Sequence, residues 1–206
     1  MLINKKVFSA MLLNTADLWQ QHTALLGEID SRFGDGDHGI TIGKISHIVI
    51  EDVQNWGEES IREFIKALGE NIMGINGGSA GPLYGTLVAG LAEPLGDETE
   101  IDGALLKKML QGSLSEISDI TRARVGDKTM MDALIPAVEV ATASTGEVSE
   151  ILEAAAKAAA QGAEYTQSIA SKFGRARSYG DQTIGTPDAG ALSTSILFQG
   201  LYEGLK

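Results

Sequence analysis

Apolar residues recur at helical spacing in eight successive segments, and no stretch alternates apolar with polar residues as a half-buried strand does. This periodicity argues against β-sandwiches and against folds in which strands and helices alternate, and it predicts an all-helical chain. Residues 7–26 carry Val7, Met11, Leu18, Leu25 and Leu26 close to helical spacing. Residues 40–53 are rich in isoleucine, a local preference for strand. Ile45, Ile48, Val49 and Asp52 nevertheless fit a helix face there, and Asp37 stands at an N-cap position. Further helices are expected at 61–73, at 83–95 with Pro82 in the first turn, and at 104–121 with Asp102 as cap. The pattern Thr129-x-x-Asp132 opens the next, which ends at Thr145-Gly146. The last two are an alanine-rich helix at 149–173 and one at 189–201 capped by Asp188.

Short connections make neighbouring helices antiparallel, so residues 1–206 are read as one domain, an eight-helix antiparallel bundle or barrel. Loops at 30–39, 74–82, 122–128 and 174–188 follow the first, third, fifth and seventh helices, which gathers all four at one end. Of the 25 glycines, 14 fall at 34–43, 74–85, 126 and 174–190, in or beside these loops. That end is the expected site.

The chain has no cysteine, which removes disulfides, thiolate metal sites and cysteine nucleophiles. A net charge of −12 argues against partnership with nucleic acid or an anionic membrane surface. No apolar run approaches a membrane span, and Asn14, Thr15 and Asp17 interrupt the apolar start that a signal peptide would need. The expectation is a soluble cytoplasmic protein.

Four clusters carry candidate chemistry. In Asp30-Ser-Arg-Phe-Gly-Asp35-Gly-Asp37-His38-Gly39, three carboxylates lie on a glycine turn and suit Mg²⁺, Mn²⁺ or Ca²⁺; the plain alternative is a solvated turn with an aspartate cap. The same stretch matches G-x-G-x-x-G, but no strand precedes it. An EF-hand starting at Asp35 would need glutamate where Ser46 stands. The turn from Asn76 to Gly85 can offer backbone amides and the Ser79 hydroxyl to a phosphate, or can simply pack helices. In Gly126-Asp127-Lys128-Thr129 the lysine can meet a phosphate, or the segment is a plain capping box. Lys172, Arg175 and Arg177 concentrate positive charge that suits phosphate or a helix dipole. His38 can cap, contact a phosphate or carry a phosphoryl group. Trp19, Trp56 and Met131 read as packing, and Met130 as a soft surface for a base. Together the four loops suit a metal–polyphosphate complex.

The segments GDGDHG, GGSAGPLYGT, GDKTMMDA and GRARSYGDQTIGTPDAGA occur in order over residues 30–191. They resemble the nucleotide-binding L subunit of the phosphotransferase-system, or phosphoenolpyruvate-dependent, dihydroxyacetone kinases. The resemblance implies a barrel of eight antiparallel helices holding ADP or ATP and two Mg²⁺ ions in the loops at one end. It implies metal binding by Asp30, Asp35 and Asp37. It implies nucleotide contacts by His38, Gly39, Ile40, Thr41, Ser79, Ala80, Thr121, Met130, Arg175, Asp188, Ala189 and Gly190, with His38 and Arg175 as transition-state contacts and no side-chain nucleophile. Gly-Ser-Ala-Gly at 78–81, Ala189 and Thr121 depart from the family's common residues. The implied partners are a phosphohistidine-carrying M subunit and a K subunit that binds dihydroxyacetone. Competing readings are an ATP-dependent kinase domain for ketoses or fatty acids, a metal-dependent phosphohydrolase and a helical regulatory scaffold. The length of 206 residues favours the L subunit over the ATP-dependent relatives, which usually sit in longer fused chains, and no water-positioning base supports the hydrolase.

Overall fold

The computed structural model describes residues 1–76 and 78–206. Gly77, in the glycine-rich turn singled out above, lies outside the described residues. Among the described residues eight α-helices carry the fold: α1 (Lys5–Ser31), α2 (His38–Gln54), α3 (Ile61–Met73), α4 (Ala80–Gly90), α5 (Gly103–Ile120), α6 (Met131–Ala143), α7 (Val148–Tyr165) and α8 (Ala189–Glu203). Two short strands, β1 (Ile3–Asn4) and β2 (Glu100–Ile101), pair antiparallel with Ile3 opposite Ile101. They precede α1 and α5, and so tie the far end of the bundle together. Two-residue strands have no alternation to read, which is why the pair is absent from the sequence expectation.

Each helix packs on the next along the chain, and α8 packs on both α7 and α1, closing the ring. The apolar stripes face inward, with Trp19, Tyr84, Phe198, Leu26, Ile65 and Leu68 among the fully buried side chains. Trp56 stacks on Phe64 outside the site end, as a packing residue. No helix among the described residues is long and apolar enough to cross a membrane.

Glycine explains how tightly the ring closes. A Cβ at Gly39 in α2 would overlap the Thr23 carbonyl of α1 and lie 2.7 Å from Gly27 N. A Cβ at Gly162 in α7 would overlap the Asp132 carbonyl of α6 and lie 2.8 Å from its carbon. The glycine excess therefore serves two ends, and the reading that assigned it mainly to loops around a ligand is corrected for Gly39 and Gly85. Gly85 sits in α4 with its Cβ position 2.7 Å from Gly69 O of α3.

Several boundaries shift, with local causes. α1 runs on to Ser31, so Asp30 belongs to a helical turn instead of a loop. Asp37 precedes α2 but makes no side-chain cap bond; its Oδ2 accepts from Gly78 N at 3.2 Å. Ser79 precedes α4, which ends at Gly90 rather than 95 and continues as turns. Asp102 and Asp188 cap α5 and α8 as expected, each accepting a backbone N–H at 2.8 Å. The Thr129–Asp132 pair forms: Asp132 Oδ2 accepts from Thr129 N at 2.8 Å and Thr129 Oγ1 from Met131 N at 3.2 Å. α7 stops at Tyr165 instead of running to 173, because the carbonyls beyond it turn inward onto the Lys128 ammonium.

Gly162→Ala is expected to destabilise the protein by about 1–3 kcal/mol, since the α6–α7 seam must open to admit the methyl. The urea unfolding midpoint measures this, and an unchanged midpoint would show that the seam yields freely.

Candidate functional site

The four glycine-rich connections meet at one end of the ring, as their order along the chain implies. They line an open cleft of about 970 Å³. Asp30, Asp35, Asp37 and His38 form one side, Ser79, Ala80 and Leu83 a second, Thr121 and Met130 a third, and Arg175 and 188–190 the fourth. A cleft of this size matches those that bury small organic ligands.

The carboxylates of Asp30, Asp35 and Asp37 each offer an oxygen within 4.8 Å of the others. Local backbone makes this possible. Gly36 takes a left-handed φ of 73°, and at Gly34 a side chain would strike the Asp30 carboxylate. The end of α1 supplies Asp30, whose Oδ2 accepts from His38 N at 3.3 Å. Arg175 Nη1 donates to Asp35 Oδ2, bringing the fourth loop onto the cluster. Like charges this close favour a bound divalent cation, and hard oxygen donors select Mg²⁺, Mn²⁺ or Ca²⁺.

Beneath the carboxylates lies a hydrogen-bonded floor. His38 Nε2 is 2.8 Å from Ser193 Oγ, which lies 2.7 Å from Tyr84 Oη; Tyr84 Oη also reaches Thr194 Oγ1 at 2.9 Å. Burial pushes the His38 imidazole below its ordinary pKa, against the opposing pull of Asp30 and Asp37. Burial likewise pushes the Tyr84 phenol well up, so it remains a neutral donor. Sequence reading missed Tyr84 and Ser193. Tyr84 sits two residues beyond Pro82 in a segment of small apolar residues, where nothing marks its hydroxyl as facing a histidine.

At three basic residues the structure does not support the phosphate alternative. Lys128 is 4% exposed, and its Nζ donates to the carbonyls of Thr166 at 2.7 Å, Ile169 at 3.1 Å, Thr183 at 2.8 Å and Thr186 at 2.6 Å. These acceptors fully engage its ammonium, so it is not free to meet a phosphate. Lys172 Nζ binds Gly126 O at 2.7 Å and Asp127 Oδ1 at 3.1 Å, fastening one loop to another. Arg177 is exposed and outside the cleft lining, whereas Arg175 lines it. Of the residues carried over by resemblance, Gly39, Ile40 and Thr41 do not line the cleft: Gly39 is wedged against α1, Ile40 is 63% exposed and Thr41 is buried. Met130 lines the cleft while remaining well buried.

With this geometry in view, similarity to known proteins is decisive. The family model of the DAK2 domain matches residues 32–203. The chain belongs to the DAK2 domain family. Over its whole length it is 30% identical to the ADP-binding subunit DhaL of phosphoenolpyruvate-dependent dihydroxyacetone kinase 2 from Listeria innocua, covering 97% of that protein. It is 28% identical to the DhaL subunit from Escherichia coli, over 95% of this chain and 94% of that one. It is also 32% identical to the D-erythrulose kinase of Mycolicibacterium smegmatis over 93% of this chain, but spans only 33% of that enzyme. Among solved structures, the native dihydroxyacetone kinase of C. freundii superposes with a TM-score of 0.76 at 24% identity, over 98% of this chain and 34% of that one. The same kinase in complex with AMP-PNP and Mg²⁺ gives a TM-score of 0.73 at 23% identity, over 96% of this chain and 34% of that one. These structural likenesses show that the eight-helix ring is a fold shared with about a third of that kinase.

Asp188, at the first turn of α8, is held by burial at a pKa of about 7 against 3.8 for a free aspartate, despite the N–H it accepts from Ala191. The folded protein thus binds the Asp188 proton more tightly than the unfolded chain does. Below about pH 4 both states hold the proton and the group costs no stability; the cost grows between about pH 4 and pH 7 and then levels off. Asparagine keeps the cap without the charge. In metal- and nucleotide-free protein, Asp188→Asn is expected to raise the Tm at pH 8 by about 2–4 °C or more. At pH 4 the two proteins should melt together. A Tm difference independent of pH would contradict the raised pKa.

Proposed function

We propose that this chain is the ADP/ATP-carrying subunit of a phosphoenolpyruvate-dependent dihydroxyacetone kinase. In this reading it passes phosphoryl groups from a phosphohistidine-carrying M subunit to dihydroxyacetone bound on a K subunit, giving dihydroxyacetone phosphate. The observation that carries the proposal is the convergence of Asp30, Asp35 and Asp37 within 4.8 Å at the mouth of a nucleotide-sized cleft. End-to-end similarity to ADP-binding subunits from two bacteria supports it.

The residues present fit the implied group. Asp30, Asp35 and Asp37 would hold two Mg²⁺ ions, whose combined charge outweighs the three carboxylates and lets an acidic chain accept a polyphosphate. Bound Mg²⁺ would supply neutralisation of the phosphate oxygens. Ser79 and Ala80, at the start of α4, would present first-turn amides to phosphate. Arg175 would offer a guanidinium to the group in transfer, and Thr121, Met130 and 188–190 would border the base and sugar. His38 fits the role of a fixed contact better than that of a phosphoryl carrier, since its Nε2 already faces Ser193. Phosphoryl transfer depends on positioning and charge neutralisation more than on a protein nucleophile, which agrees with this set.

The erythrulose kinases among the relatives give a second reading specific support: a similar domain serves in kinases named for another ketose, so an ATP-dependent ketose kinase is the alternative. The ketose would then be chosen by the partner that binds it.

Protein purified without added nucleotide is expected to release ADP on denaturation, detectable by mass spectrometry. Stripped protein should gain roughly 5–10 °C in Tm when Mg·ADP is added at about 100 times its Kd. Asp35→Ala should abolish that gain. Stripped wild-type protein that ignores Mg·ADP would overturn the assignment of the site, and an unaltered gain in the variant would remove Asp35 from it.

A further inference from the structure

Lys128 is the one non-glycine residue among the described residues with a left-handed φ, at 61°. That conformation is costly for a lysine and persists only where surrounding contacts enforce it. Here it turns the side chain inward, where one ammonium meets four carbonyl oxygens. An ammonium has three N–H donors, so one is shared, and the surroundings match those of a dehydrated monovalent cation.

The four carbonyls belong to two limbs of one excursion. Thr166 and Ile169 lie where the chain leaves α7, and Thr183 and Thr186 where it returns to α8. Between them the arm rises to the cleft and carries Arg175 onto Asp35. The limbs are also cross-tied: Ser171 N donates to Thr183 Oγ1 at 2.9 Å, and Asp188 N donates to Thr166 Oγ1 at the same distance. The residue that shapes the cap of α8 therefore hangs on a threonine whose own carbonyl is held by Lys128.

We propose that Lys128 is a positioning residue whose buried positive charge clamps both limbs of the 166–186 arm and so sets Arg175 and Asp188 around the cleft. Without the charge, four carbonyl dipoles converge on one point with nothing to offset their repulsion, and the limbs separate. The consequence for nucleotide binding rests on the function proposed above; the clamp itself does not.

The test uses the full chain with Lys128→Gly, which tolerates the positive φ and leaves a slot for n-butylammonium, the isostere of the missing side chain. n-Butanol fills the same volume without charge. Amide hydrogen exchange across 166–186 and Mg·ADP affinity are measured in the variant alone, with the amine and with the alcohol. The variant alone should exchange at least tenfold faster over 166–186 than wild type and bind Mg·ADP at least tenfold more weakly. The amine should restore most of both and the alcohol neither. If the variant is unfolded on its own, the same contrast is read as recovery of protection. Amine and alcohol acting alike, or wild-type exchange with neither, would overturn the proposal. Wild-type protein that fails to bind Mg·ADP would count against the proposed function alone, since the exchange readout still decides the clamp.

Discussion

Mutual repulsion among three carboxylates is the constraint around which the site end of this molecule is built. Asp30, Asp35 and Asp37 gain nothing from proximity unless a cation joins them, so the scaffold must hold them there. It does so with pieces from several elements. α1 is extended by a turn to carry Asp30, glycines at 34 and 36 fold the chain back, Gly78 N–H anchors Asp37, and Arg175 reaches across from the far side. The ring of helices beneath is stiff because its seams are closed at backbone contact, leaving little slack for the carboxylates to move apart.

Charge also organises the layers below. The sum of −12 belongs to the whole chain, whereas the charges nearest the cleft are arranged individually. One lysine is withdrawn into a carbonyl cage, a second links two loops, and a single arginine faces the acidic cluster. His38 and Tyr84 are kept neutral by burial, so the floor offers hydrogen bonds without adding charge. This division lets an acidic protein present a site suited to a metal-bound anion.

Helix number, order and the gathering of four loops at one end were legible because each rests on local rules: apolar spacing, caps such as Asp102 and Asp188, and the parity of an antiparallel chain. The metal candidates were legible because three aspartates fall within eight residues. What was not legible depends on contacts distant in the chain. Of the two readings open at residues 126–129 the cap is present, but nothing near Lys128 signals that carbonyls from residues 166 to 186 will surround its ammonium. The early end of α7 has the same cause, since alanine-rich sequence favours continuing the helix until a tertiary contact stops it. Gly39 sits inside a motif that suggests ligand contact, but its absent side chain serves the approach of α1, a demand invisible without the neighbouring helix.

The proposed role is that this chain relays phosphoryl groups through a nucleotide that stays on it. The direct measurement supplies ³²P-labelled phosphoenolpyruvate, the phosphotransferase-system proteins, the M and K subunits and dihydroxyacetone, with a trap that destroys free ATP. Label passing first into nucleotide that co-purifies with this chain, and then into dihydroxyacetone phosphate despite the trap, is the predicted result. Transfer that stops when free ATP is removed, or that proceeds without this chain, would contradict it.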